Sequence, residues 1–259
     1  MLVCPKCRLP LVRYEKTYHC SARHSYDIAK KGYVNLVLGN QKISGDSKEM
    51  VDARTLFLSA GYYQVLADKL VELLKEIKPD MLIDAGCGEG YYTRQFHDCG
   101  NQIIAFDLSK PALNTAAKLD QDTIYAIASI FDMPIGDASA DCVVNIFAPT
   151  PIDEVNRILK KGGILIKVGP GAKHLHGLKE VLYDEVYDNE EESVELKGLT
   201  HIQRVNVTDQ IHLISNDQIK ALFMMTPYYW KTSQASAARL NTLTELSTEI
   251  DFLIDLYQK

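Results

Sequence analysis

Between residues 81 and 169 the chain repeats one unit, a short aliphatic and β-branched run followed by a stretch with helical spacing. The runs are MLIDAG (81–86), QIIAFD (102–107), TIYAIA (123–128), DCVVNIF (141–147) and GILIKVG (163–169), with helical stretches around 91–98, 111–119 and 151–159. Strands joined through helices run parallel, and right-handed connections wind them into an open sheet covered on both faces. That excludes an all-helical or all-β fold and predicts an α/β, mostly parallel, Rossmann-like sheet with ligands at the carboxyl ends of its strands. Upstream, 47–58 and 62–77 read as helices, with Met50, Ala53, Phe57 and then Leu66, Leu70, Leu73 and Leu74 on one side, and Pro79 ends the second. Downstream, SNDQIKALFMMTPYYW (215–230) reads as a capped helix that stops before Pro227, with Tyr228, Tyr229 and Trp230 taken as packing. EIDFLIDLYQK (249–259) suits an antiparallel strand finishing the sheet, and DNEEESVE (188–195) a solvated loop or helix end.

Ahead of this body stands CPKCRLPLVRYEKTYHCSARH, residues 4–24. Cys4 and Cys7 form C-x2-C, followed after twelve residues by Cys20 and after three more by His24. Thiolate and imidazole at these spacings favour tetrahedral Zn2+, and four protein ligands leave no open position, so the predicted role is structural. His19 is a rival fourth ligand, less favoured because adjacent side chains of an extended segment diverge. The remaining cysteines are expected to be reduced thiols, because a chain of 259 residues builds a core without disulfide staples. No apolar run approaches the ~18 residues that span a bilayer, and the first residues are charged and thiol-bearing where a signal peptide is apolar. A cytoplasmic protein with no membrane partner is the expectation. Net charge is −6, yet residues 1–50 carry nine Lys or Arg against four Asp or Glu. A basic head on an acidic body admits two readings, an RNA-binding surface and an ordinary solvated one. Residues 27–50 read as an ordered connector that loosens toward Gly45, giving expected domains of 1–45 and 46–259.

The loop DAGCGEG, residues 84–90, follows the first strand of the repeat. Gly86, Gly88 and Gly90 allow a tight turn and a close approach to a ligand. Seventeen residues on, Asp107 ends the second strand with a carboxylate placed for ribose hydroxyls. A dinucleotide fingerprint is the rival, but it runs G-x-G-x-x-G. Here the glycines are G-x-G-x-G, and Asp84 would repel a pyrophosphate while suiting a sulfonium and an ammonium. The loop favours S-adenosylmethionine over NAD.

The chain as a whole resembles the class I methyltransferases, and within them the RlmA-type rRNA (guanine-N1)-methyltransferases. The resemblance is carried by CPKC, CSARHSYDIAKKGYVNL, DARTLFLSAGYYQ, DAGCGEGYYTR, GPGAKHLHGLK and MTPYYW, from residue 4 to about 230. AFDLSK, IFAP and GGILIKV look closer to the branch associated with the tylosin (macrolide) resistance nucleotide. The resemblance implies zinc on Cys4, Cys7, Cys20 and His24, and S-adenosylmethionine contacts at Tyr63, Gly88, Glu89 and His174. It also implies a 23S rRNA hairpin as partner and a homodimer around a shared RNA cleft. Asp84 and Asp107 come from the class-wide pattern; Ser129 stands where many class I enzymes carry an acidic residue, so adenine recognition there is expected to use backbone groups.

The implied chemistry is an in-line displacement by guanine N1 on the cofactor methyl, with the base unpaired or flipped out to expose its pairing edge. A base that removes the N1 proton is expected, and no residue declares itself. In NIFAP (145–149), Asn145 can bond the base edge and Phe147 can stack on it, or Phe147 can be core. Two other classes stay open: a methyltransferase for another RNA or a small molecule, and an NAD-dependent oxidoreductase or non-catalytic zinc RNA-binding protein. If the head only docks RNA, Cys4→Ser or Cys20→Ser impairs RNA methylation and largely spares cofactor affinity.

Overall fold

A computed structural model describes residues 1–39, 45–190 and 193–259. The connector's residues 40–44, and Glu191 and Glu192 of the acidic stretch, lie outside the described residues. The chain opens with a ribbon of β1 (Val12–Tyr14), β2 (Thr17–His19) and β3 (Ser25–Asp27), then β4 (Val34–Asn35), α1 (Lys48–Ser59) and α2 (Gln64–Ile77). Next come β5 (Met81–Ala85), β6 (Gln102–Asp107), α3 (Lys110–Leu119), β7 (Ile124–Ile127), β8 (Ala140–Ile146), α4 (Ile152–Ile158) and β9 (Leu159–Pro170). The remainder is α5 (His176–Leu182), β10 (Thr200–Leu213), α6 (Asn216–Met224), two short helices at Tyr228–Lys231 and Gln234–Ala238, and β11 (Leu246–Gln258). Among the described residues no helix is long and apolar enough to cross a membrane.

The central sheet has the order β10-β11-β9-β8-β5-β6-β7-β4. Pairs from β9 through β4 are parallel, while β11 joins β9, and β10 joins β11, antiparallel. Strand order reverses between β5 and β8, so a crevice opens beyond their carboxyl ends. The loops DAGCGEG and NIFAP border it.

Local chemistry explains most elements. Ser47, Ser109 and Ser215 cap α1, α3 and α6 by accepting from the backbone N–H three residues on. Lys78 adopts a left-handed conformation as α2 ends before Pro79. The stretch expected as a helix around 91–98 is instead a 3-10 segment, Thr93–Cys99. The expected terminal strand begins three residues earlier, at Leu246, and pairs along its whole length with β10, which the sequence reading missed.

The connector is more than a link. Val34 and Asn35 pair in parallel with Ala126 and Ile127, adding an edge strand to the main sheet. The ribbon also packs onto the sheet's face: Leu2, Cys4, Leu11, Tyr18 and Cys20 share one buried cluster with Ile83, Phe106, Met133, Ile135 and Val143. Val3 N–H bonds to the Pro134 carbonyl at 2.8 Å, and Arg8 bonds to the Met133 carbonyl at 2.9 Å and pairs with Asp132. At roughly 2 kcal/mol per fully buried large aliphatic side chain, this contact ties the stability of ribbon and sheet together.

Candidate metal and cofactor sites

In the ribbon, Cys4, Cys7, Cys20 and His24 bring one ligand atom each to within 4.8 Å of one another. His24 Nδ1 lies 3.5 Å from Cys4 Sγ and 3.4 Å from Cys20 Sγ, and Cys7 Sγ lies 3.6 Å from Cys20 Sγ. Zinc bonds of about 2.3 Å to sulfur and about 2.0 Å to nitrogen place tetrahedral ligand atoms about 3.5–3.8 Å apart, so the cage fits this ion. Each half closes through a tight turn, with Arg8 N–H on the Cys4 carbonyl and Arg23 N–H on the Cys20 carbonyl. Arg8 and Arg23 take left-handed φ of 59° and 64°, unusual for arginine, which the closed cage holds in place. The Tyr26 hydroxyl, 3.1 Å from Cys4 Sγ, donates to the thiolate and orients it. His19 lies exposed on β2, outside the cluster.

At the switch point, Gly86 has φ +90°, and a Cβ there would stand 2.9 Å from the Ala148 Cβ. The loop is pinned by Gly86 and Cys87 N–H groups that both reach the Phe106 carbonyl at 2.9 Å. Gly90 packs on the other flank, where a Cβ would meet the Tyr125 hydroxyl at 2.9 Å. Asp107 accepts from Gly88 N–H at 2.9 Å and from Ser109 N–H at 2.7 Å. Burial pushes its carboxyl up, and those two bonds pull it back. Asp84 is 1% exposed and accepts from Thr93 at 2.6 Å. Burial raises it to about 7, opposed by the Thr93 bond and reinforced by Asp107 and Glu89. Glu89 is also raised by burial, with Arg54 acting against it; its Oε1 and the Tyr92 hydroxyl are buried without a partner. Unsatisfied buried polar atoms around a carboxyl-rich turn are what a polar, cationic ligand would satisfy. The residues therefore fit S-adenosylmethionine.

Tyr63 and His174, 111 residues apart, meet with hydroxyl and Nε2 at 3.3 Å. His174 Nδ1 accepts from the Asp251 backbone N–H at 3.2 Å, which assigns the ring proton to Nε2 and makes it a donor to Tyr63. Burial, with help from Lys179, lowers His174 to about 3, so it stays neutral. It lies two residues before α5. Phe252 packs against both rings, with centroids 4.8 Å from Tyr63 and 5.0 Å from His174. Ser129 is half-buried beyond β7, its hydroxyl accepting from Phe131 N–H at 3.1 Å.

The NIFAP loop divides its two candidates. Asn145 is 1% exposed: its amide donates to the carbonyls of Ala85 at 3.1 Å and Pro149 at 3.2 Å, and its oxygen accepts from Thr150 at 3.0 Å. Both amide protons and the oxygen of Asn145 are thus engaged in tying the β8 loop to β5 in the ligand-free protein. Phe147 is 46% exposed and has φ +52°. An aromatic residue held left-handed costs about 1–3 kcal/mol, a strain tolerated chiefly at functional sites. Phe147 is therefore not core, and its ring lies 5.6 Å from His174 and 5.9 Å from Phe252. Arg54 and Asp46, which the sequence reading passed over, pair beside the glycine loop. The signal for Arg54 was DARTLFLSAGYYQ, a motif that places it nine residues before Tyr63; Asp46 lies ahead of that motif.

Comparison with known proteins adds the family. Residues 2–45 match the family profile described as RlmA, N-terminal, a zinc ribbon, and residues 83–167 match the profile described as methyltransferase domain. The chain is 29% identical to the 23S rRNA (guanine(748)-N(1))-methyltransferase of Streptomyces fradiae, covering 98% of this chain and 95% of that one. It is 31% identical to a Micromonospora griseorubida protein named for 23S rRNA guanine-N1 methylation, over 94% of this chain and 92% of that one. Among solved structures, the YcgJ protein of Bacillus subtilis superposes with TM-score 0.51 at 17% identity, over 74% of this chain and 97% of that one, a likeness of fold. At such identity along nearly the full length, a zinc cage and a sulfonium-suited loop on one chain have one common context, and this protein belongs to the 23S rRNA (guanine-N1)-methyltransferase family.

Proposed function

We propose that this enzyme methylates N1 of a guanine in a loop of 23S rRNA, with guanine 748, the target named for the Streptomyces fradiae relative, as the first position to test. The observation that carries the reading is Phe147, exposed and left-handed at the end of β8, directly beyond the carboxyl-lined glycine loop. An extruded base can stack on that ring. S-adenosylmethionine supplies the electrophilic methyl, which passes to N1 as its bond to sulfur breaks, with the N1 proton lost. The residues proposed to hold the cofactor are Tyr63, Asp84, Gly86, Gly88, Glu89, Gly90, Asp107, Ser129 and His174. Tyr63 and neutral His174 close one wall as hydrogen-bonding, uncharged groups; His174, with Nδ1 engaged and its proton on Nε2, serves as a donor and not as a base.

The reading assigns residues 1–45 to RNA recognition and 46–259 to methyl transfer. Its support is the β1–β2 hairpin, which sets Arg13, Tyr14 and Lys16, with Glu15 between them, along one open surface, with Tyr14 70% exposed. Cations beside an exposed aromatic suit phosphate contacts and base stacking. A homodimer around the RNA belongs to the same proposal, and sedimentation at twice the chain mass is its expected signature. The enzymatic test is primer extension on 23S rRNA lacking the modification. A new stop at a guanine, dependent on S-adenosylmethionine, is expected; unchanged extension with methyl transfer to a small molecule would overturn the reading.

Asp84 gives a pH prediction. Its carboxyl is raised to about 7, so the folded free protein holds a proton there that the unfolded chain has released above about pH 4. Its contribution to stability is thus present at low pH and lost as pH rises through about 7. A cationic ligand favours the carboxylate, so binding near pH 6.5 should release a proton, and affinity should climb a few-fold up to about pH 8. Calorimetry in buffers of different ionisation enthalpy reads that proton directly; Asp84→Asn should abolish it, and retention of the release by the variant would assign it elsewhere.

A further inference from the structure

Arg54 of α1 turns its guanidinium toward the cofactor loop: its Nη1 lies 3.7 Å from the point where a Cβ on Gly88 would stand. Its partner there is the carboxylate of Asp46, and both side chains are largely covered, at 22% and 28% exposure. Asp46 is itself fastened to the site, because its carbonyl accepts from Ser109 Oγ at 2.8 Å while Ser109 N–H holds Asp107. The surrounding loop is crowded with acid from Asp84, Glu89 and Asp107. The other nearby cation, Arg94, is turned to the opposite flank, where Nη1 bonds the Glu89 carbonyl at 2.8 Å and faces Gly90.

A ligand with an amino-acid end brings an ammonium, which these acids suit, and a carboxylate, which they repel. The carboxylate needs a cation on the same side of the loop, and Arg54 is the one so placed among the described residues. We propose that Arg54 recognises the α-carboxylate of S-adenosylmethionine and that Asp46 occupies the guanidinium as a stand-in until the cofactor displaces it. Binding is then an exchange of one carboxylate for another on a preorganised guanidinium. Asp46 lies two residues before α1, so the exchange frees the contact that holds it to Arg54. This inference rests on the cofactor site proposed above.

Calorimetric titration with S-adenosylmethionine and with its decarboxylated analogue, S-adenosylmethioninamine, tests it without turnover. A charged hydrogen-bonded contact of about 1.5–3 kcal/mol corresponds to about tenfold to hundredfold in affinity, so the wild-type protein should prefer the carboxylated ligand by that factor. Arg54→Met should bind both ligands alike, Arg54→Lys should restore part of the preference, and Asp46→Asn should tighten S-adenosylmethionine about threefold or more by removing the competitor. Equal affinities for the two ligands in wild-type protein, or an undiminished preference in a folded Arg54→Met, would overturn the assignment. Failure of wild-type protein to bind either ligand would instead overturn the cofactor site on which it rests.

Discussion

Cys20→Ser lowers the melting temperature of the whole protein by more than about 10 °C and abolishes rRNA methylation, with zinc content falling below one ion per chain. Structural zinc contributes on the order of 10 kcal/mol to modules that cannot fold without it, and a chain this size shifts by about 2–4 °C per kcal/mol. What decides how far the damage spreads is the shared cluster. Cys20 and Cys4 lie with Leu11 and Tyr18 against Ile83, Phe106 and Val143, so an opened ribbon uncovers the face of the catalytic sheet. The edge pair of Val34 and Asn35 with β7 would loosen with it. The sequence alone suggested a head that could fail by itself with cofactor affinity largely spared; the packing predicts that the two losses are coupled. Differential scanning with and without chelator, followed by S-adenosylmethionine titration, checks this. An unchanged main transition after zinc loss would show that the ribbon is independent after all.

Phe147→Gly moves stability and activity in opposite directions. Glycine accepts φ +52° without the penalty an aromatic residue bears there, so the folded state should gain on the order of 1 kcal/mol, offset in part by the half-buried ring's lost contacts with His174 and Phe252. Loss of a stacking platform, at about 1–3 kcal/mol per base, should lower kcat/KM for rRNA by about tenfold to hundredfold. If the ring serves the target base, affinity for S-adenosylmethionine should stay within about twofold, because the glycine loop is untouched. Phe147→Leu separates the two effects, keeping the strain but losing the aromatic face. Lower stability of Phe147→Gly with unchanged methylation would return Phe147 to a packing role.

Features written in neighbouring residues were legible. Zinc ligands at x2 and x3 spacing close on one ion by local turns, and the parallel strands announce themselves as apolar runs because both faces of the sheet are covered. β10 was not legible, since in THIQRVNVTDQIHL only Val207, Ile211 and Leu213 are buried and the strand forms an exposed edge. Polar residues there satisfy solvent, so no apolar periodicity marks the strand; β11 supplies the pairing. The 3-10 turn at Thr93–Cys99 was read as a helix because both place side chains three to four residues apart on one side.

For the site, the sequence by itself determined the chemistry on offer: four zinc ligands, a glycine turn beside Asp84, and Asp107 at a strand end. Each depends on spacing of about twenty residues or fewer, where chain geometry alone fixes who meets whom. Only the tertiary structure decided which side chains remain available. It engaged Asn145 through Ala85, 60 residues away, joined Tyr63 to His174 across 111 residues, and left Phe147 exposed and strained. Those outcomes follow from packing between distant segments, where burial and hydrogen-bond satisfaction choose among partners that local spacing leaves equivalent.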